Sequence, residues 1–117
     1  MDYWRKDLGD HGENIAEDYL GSKGYKIIHR KFRCFLGEID LIAKKGDCLV
    51  FIEVKTRDSE KFDPLDSITA KKRKKLKSLA NFYSIRLKKP MGICFDVVCI
   101  SISNSGTIDI EHFEDAF

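Results

Sequence analysis

The chain has 117 residues, of which 43% are hydrophobic and 34% charged, and a net charge of +2. This length supports one domain, 1–117, that folds without disulfide staples, and the supply of apolar residues excludes disorder. No apolar run approaches the ~20 residues that span a bilayer, and the acid-bearing start Met1-Asp2-Tyr3-Trp4-Arg5-Lys6-Asp7 is no signal peptide, so a cytoplasmic protein is expected.

The first predicted element is a helix from Gly12 to Lys23, with Ile15, Ala16, Tyr19 and Leu20 on one face and Gly24 as its left-handed cap. Tyr25–Arg30 reads as a strand. Glu38–Ala43 and Cys48–Lys55 read as a hairpin turned at Lys45-Gly46-Asp47. The continuous apolar run from Cys48 to Ile52 is that of a central strand buried on both faces. Residues 58–66 read as a mobile polar loop. A helix is predicted from Ser67 to Lys88, ended by Pro90, with Ile68, Leu76, Leu79, Ala80, Tyr83 and Leu87 as its apolar positions. Ile93–Ile102 forms a further strand, Asn104-Ser105-Gly106 a turn, and Thr107–Phe113 a last short strand. The order is αβββαββ.

Cys34, Cys48, Cys94 and Cys99 form no CxxC pair, and His11, His29 and His112 are scattered. Structural zinc uses close-spaced N/S ligand pairs, so no zinc site is expected. The cysteines are read as packing residues in a reducing compartment.

Charge is unevenly spread. Residues 64–90 carry nine basic groups and one acid, whereas residues 91–117 carry five acids and no basic group. The excess centres on Lys71-Lys72-Arg73-Lys74-Lys75-Leu76-Lys77. Such a concentration suits a polyanion, and taken alone a solvated helix face explains it equally well.

A hairpin loop centred between Gly46 and Asp47 sets Asp40 opposite Glu53. Facing carboxylates repel, and a strand seldom keeps such a pair without a cation between them. Lys55, two residues on, points to the same face as Glu53. Hard oxygen ligands of this kind suit Mg²⁺ or Mn²⁺. A metal beside a lysine is equipped for phosphodiester hydrolysis. The competing reading is an ordinary cross-strand salt bridge, but Glu53 and Lys55 close a wholly apolar run, which disfavours it. Glu13 is a further candidate, although stabilising the helix dipole would also explain it. Lys72 stands four residues after Ile68 and four before Leu76, in line with the apolar stripe. Its ammonium could snorkel outward or reach the patch around Lys55, and a phosphate contact is the reading taken.

Gly12-Glu13, Gly37-Glu38-Ile39-Asp40-Leu41-Ile42-Ala43 and Val50-Phe51-Ile52-Glu53-Val54-Lys55-Thr56-Arg57 resemble the YraN family of small bacterial proteins. Phe95-Asp96-Val97-Val98 and the closing Ala116-Phe117 extend the resemblance over nearly the whole chain. The family is similar to the restriction-endonuclease-like, PD-(D/E)xK superfamily. That resemblance implies an α/β fold with a mixed-sheet core flanked by helices. It maps the acid before the hairpin to Asp40, the ExK to Glu53 and Lys55, the first-helix acid to Glu13 and the second-helix lysine to Lys72. Val54 would lend its backbone carbonyl to the metal, its side chain facing the buried side. Ile39 replaces the proline of the signature, and Lys31 stands where relatives often carry Asn.

The expected function is a Mg²⁺- or Mn²⁺-dependent endonuclease acting on DNA, with branched DNA the first substrate to try. Asp40 and Glu53 would hold the metal, with Glu13 as an added ligand, and Lys55 would position or activate water. Lys71, Lys72, Arg73 and Lys75 would clamp phosphates, with Arg30, Arg33 and Arg57 as further contacts. The alternative is a module on the same fold that holds nucleic acid or a protein without cutting. Membrane attachment through residues 71–89 ranks last, because the apolar side of that helix is needed for the core. A homodimer or a partner-dependent monomer is expected, since so small a nuclease has little surface with which to embrace a duplex.

Overall fold

The computed structural model describes residues 2–57 and 68–117, with side chains from Asp10 onward in the first helix. The loop expected over 58–66 lies outside the described residues. The elements are α1 (Asp2–Ser22), β1 (Lys26–Cys34), β2 (Gly37–Lys45), β3 (Cys48–Arg57), α2 (Ala70–Ser84), β4 (Gly92–Ile102) and β5 (Ile108–Phe113). The order matches the sequence reading. The strands form one sheet, β1-β2-β3-β4-β5, in which β3 and β4 are parallel and the other pairs antiparallel.

β3 is the centre of this mixed sheet, and its two faces build two cores. Val50 and Ile52 join Leu41, Ala43, Val98 and Ile100 beneath Ala16 and Leu20 of α1. Leu49 and Phe51 join Ile39, Ile42 and Phe95 beneath Leu76, Leu79 and Ala80 of α2. The period-2 alternation of the strand assigns each side chain to its helix. Glu53 and Lys55 fall on the α2 side, while Val54 packs with the α1 cluster.

The β2–β3 register is the expected one: Lys45 pairs with Cys48 and Leu41 with Ile52 across the two-residue loop Gly46-Asp47. Gly46 takes φ +59°, which a glycine adopts without steric cost. At the end of α1, Gly24 has φ +91°, and the Tyr25 N–H donates to the Leu20 carbonyl at 3.0 Å, a Schellman-type ending.

Three elements differ from the expected bounds by more than two residues. α1 begins at Asp2, ten residues before the expected start, with Gly9 and Gly12 inside it. Glycine propensity is a weak term that packing overrides. β1 continues past Arg30 to Cys34, because Phe32 and Cys34 alternate onto the α2-side core. α2 is shorter than 67–88. Thr69 caps its start, accepting the Lys72 N–H at 3.2 Å, and it ends at Ser84, well before Pro90. Beyond Ser84 only Leu87 and Met91 turn inward, and the chain reverses so that the Gly92 N–H reaches the Asp47 carbonyl at 3.0 Å.

At Gly12, α1 comes close against Thr56 of the sheet. A Cβ there would strike the Thr56 hydroxyl and lie 2.9 Å from the Thr56 Cβ and Cγ2. Gly12→Ala is expected to cost about 1–3 kcal/mol of stability by overpacking, and Thr56→Ala in the same chain to restore part of it, as read by urea denaturation.

A second constraint is Asp96, 3% exposed in the middle of β4. Its Oδ2 accepts from the Tyr25 hydroxyl at 2.8 Å and from His112 Nε2 at 2.7 Å, and its Oδ1 accepts the Asp115 N–H at 2.9 Å. The other His112 nitrogen, Nδ1, faces the Tyr19 hydroxyl at 3.1 Å. One carboxylate therefore ties the end of α1, β5 and the C-terminal residues to β4. Asp96→Ala takes the acceptor from His112 Nε2 and the Asp115 N–H and leaves the Tyr25 hydroxyl to Glu114 Oε1, at 3.1 Å, so it is expected to lower stability by roughly 3 kcal/mol. Asp96→Asn, which keeps an acceptor, should lower it less in the same denaturation experiment.

Candidate active site

The site begins where β2 and β3 part. Their ladder ends at Leu41–Ile52, one rung short of Asp40 and Glu53. In place of a further backbone bond, Asp40 Oδ2 accepts the Val54 N–H at 2.7 Å. Asp40 is thus anchored to the strand that carries Glu53 and Lys55. α2 then passes over this opening, and a cleft of about 620 Å³ results. Its walls include Asp40, Glu53, Val54 and Lys55 from the sheet, and Lys71, Lys72 and Lys75 from α2.

Charges converge inside it. Glu53, 7% exposed, holds Lys72 Nζ at 3.3 Å and Lys55 Nζ at 3.9 Å from one carboxylate oxygen, Oε2. Burial pushes the Asp40 carboxyl above its usual range, against the pull of the Val54 N–H and Lys55. Burial also raises Glu53, and the Asp40 charge raises it further. Lys55 moves the other way: burial and the neighbouring Lys72 ammonium push it below the ordinary lysine value. Burial opposes the charge on Lys72 too, but Glu53, Lys55 and Asp40 together more than offset this and hold its pKa up. The physical causes are those expected of ionisable groups taken out of water together.

Glu13 lies on the far side of Asp40. It lines a smaller recess of about 190 Å³ with Lys31, Arg33, Glu38, Ile39 and Asp40. Its pKa is raised by burial and by Asp40, and Lys31 Nζ sits 3.8 Å away. Lys31 has φ +51°, a left-handed backbone that an Asn tolerates better than a lysine. Its ammonium reaches Asp10 at 3.0 Å as well.

The basic residues divide. Lys71, Lys72 and Lys75 line the cleft. Arg33 pairs with Glu38 at 2.8 Å beside the smaller recess. Arg30 turns to Glu17 at 2.6 Å. The Arg73 guanidinium lies over the Phe117 ring at 5.5 Å. Arg57, exposed at the end of β3, is not among the residues that line the cleft. Cleft residues outside the expected site set are Leu36, Gly37, Glu38, Thr69, Leu76 and Leu79. The Asp96 network was also missed, although an acid inside the apolar run Ile93–Ile102 was a signal.

A divalent cation suits part of this set. Asp40 and Glu53 are hard, desolvated and mutually repelling, and Mg²⁺ commonly takes only one or two carboxylates and completes its shell with water. Among the described residues no group of three or more Asp, Glu, His or Cys side chains is drawn together as a metal cage. Glu13 does not line the cleft but shares the smaller recess with Asp40, so the residues that could hold an ion are Asp40 and Glu53, with Glu13 on the other side of Asp40.

The family described as Uncharacterised protein family UPF0102 matches residues 12–100. The chain belongs to this family. It is the YraN family whose motifs the sequence resembles. A UPF0102 protein of Thermodesulfovibrio yellowstonii is 48% identical over 97% of both chains. One from Caldicellulosiruptor saccharolyticus is 43% identical over 97% of this chain and 98% of its own. Another, from Clostridium kluyveri, is 40% identical over 100% of this chain and 98% of its own. The matched span of UPF0102 contains every cleft residue named above. Among the described residues, no helix is long and apolar enough to cross a membrane.

Because the folded-state pKa of Asp40 is raised, its ionised form opposes folding. The folded state binds the proton more tightly, so this cost is absent below the ordinary value of 3.8 and develops as pH rises through the folded value. Asp40→Asn keeps an acceptor for the Val54 N–H. Its melting temperature is expected to exceed wild type at pH 7 and to converge with it below about pH 4 in scanning calorimetry.

Proposed function

We propose that the chain is a Mg²⁺- or Mn²⁺-dependent nuclease that hydrolyses phosphodiester bonds in DNA, with its chemistry in the Asp40–Glu53–Lys55 cleft. The observation that carries this reading is the meeting of two desolvated carboxylates and a lysine beneath a lysine-lined helix. The element order, with a parallel β3–α2–β4 crossover, supports the restriction-endonuclease-like superfamily as its fold.

Asp40 and Glu53 would hold the ion, and the Val54 carbonyl remains a candidate third donor. When bound, the ion supplies Lewis-acid stabilisation of the phosphate and a more acidic water. The chain's own contribution follows from its geometry. The Val54 N–H fixes one oxygen of Asp40 and so orients the carboxylate. Lys55 is close to Glu53 and has a depressed pKa, so it can take a proton from the attacking water or stabilise charge on the phosphate. Lys71 and Lys75 on the cleft wall would contact the flanking phosphates, and Lys72 would exchange Glu53 for phosphate as substrate enters. Glu13, which shares the smaller recess with Asp40, would add a ligand or help hold a second ion there.

A second reading has its own support. Two ammonium groups already face Glu53 Oε2, so the cluster is close to neutral by itself. A module that binds nucleic acid without cutting would have this arrangement. The readings separate in one assay on branched, nicked and linear DNA with Mg²⁺ or Mn²⁺. Hydrolysis by wild type, lowered by at least roughly a hundredfold in Lys55→Ala and in Glu53→Gln, is the expected result. Equal inactivity of wild type and a Glu53→Ala/Lys55→Ala chain, with salt-sensitive binding retained in both, would establish the binding module instead.

A further inference from the structure

One end of the cleft carries an apolar feature that phosphate chemistry does not use. Phe35 is the first loop residue of the β1–β2 hairpin, between Cys34 and Gly37, and is 82% exposed. Its ring meets Phe82 of α2 edge to face, with centroids 5.3 Å apart and planes at 88°. Arg86 lies over the Phe82 ring at 5.1 Å. The pair adjoins the cleft on both elements. Leu36, next to Phe35, lines it, and so does Leu79, one turn before Phe82. Ile85, one turn after Phe82, is also 82% exposed.

We infer that Phe35 and Phe82 form a stacking platform for an unpaired nucleobase, and that the polymer entering the cleft is single-stranded or locally unpaired at that point. The inference rests on the nucleic-acid reading of the cleft and narrows its substrate class. A base within a duplex has both faces covered by its neighbours, so only an unpaired or flipped base offers a face to a protein ring. Exposed aromatic rings beside a basic groove are how proteins hold single strands without reading sequence, and an arginine over a ring adds to such a surface. Phe82 follows Lys75 by seven residues, roughly 10 Å along the helix. A strand whose phosphate sits at Lys75 therefore brings a neighbouring base within reach of the rings.

A second copy of the chain is the competing occupant, and charge disfavours it. In an isologous contact the same patch faces itself. Here that would press one α2 against another, although α2 carries Lys71, Lys72, Arg73, Lys74, Lys75 and Lys77 and no acid. A polyanion complements that face, whereas a copy repels it.

The test is fluorescence anisotropy of the full chain in EDTA, against a labelled single strand and the blunt duplex of the same sequence. Phe35→Ala is expected to weaken single-strand binding on the order of tenfold and duplex binding less than about twofold, whereas Phe35→Trp retains both. 2-Aminopurine placed in the single strand should be quenched by wild type and not by Phe35→Ala. Wild-type affinity in Phe35→Ala, or equal loss on both polymers, would overturn the platform. Loss of a dimer in sedimentation with single-strand binding unchanged would overturn it too, and would give the patch to a second copy. Binding is read without metal, so the two proposals fail separately. A selective Phe35 effect in a chain that never cuts keeps the platform and removes the nuclease. Cutting that is indifferent to Phe35 does the reverse.

Discussion

The hydrogen bond from the Val54 N–H to Asp40 organises the centre of this protein. Two strands that separate leave backbone donors exposed, and a buried donor without a partner costs free energy. Here a side chain from β2 satisfies the donor on β3. The strands can then splay without penalty, and α2 can close over the gap. The same oxygen that repairs the ladder fixes a carboxylate in the cleft wall, so architecture and candidate chemistry share one contact.

The electrostatics follow from that geometry. Asp40 and Glu53 are both desolvated, and the Asp40 charge makes Glu53 harder still to ionise. Lys72 crosses from α2 to neutralise Glu53 and in doing so presses on Lys55. A core built for stability alone would place apolar groups here, since replacing buried ion clusters with hydrophobic side chains is often neutral or stabilising. Strongly perturbed groups gathered in a cleft are the pattern that marks functional sites, although structural ion networks share it.

Much of this was legible in the sequence because the hairpin is local. Gly46 and Asp47 fix the turn, the turn fixes the register, and the register brings Asp40 and Glu53 to the same level, one step past the last rung of the ladder. The alternation of β3 did the rest for Lys55 and Val54. What sequence could not show depends on distant packing. β1 runs to Cys34 because α2 supplies a core for Phe32, and α2 ends early because the chain must return to Asp47. Arg73 looked like its neighbours in the basic run, yet it turns to Phe117, a contact between residues far apart in the chain. Asp96 finds its partners in Tyr25, His112 and Asp115, which no local pattern joins.

The two edges of the sheet differ in sign. β1 displays Lys26, Arg30, Lys31 and Arg33, whereas β5 displays Asp109 and Glu111. Opposite charges on opposite margins would invite copies to line up edge to edge, as growing aggregates do. The β1 margin refuses such growth by shape: its pairing shifts register at Ile28, and Lys31 turns left-handed three residues later. An incoming strand meets a buckled rail instead of a flat one, so the irregularities of that margin favour solubility where charge alone would favour polymerisation.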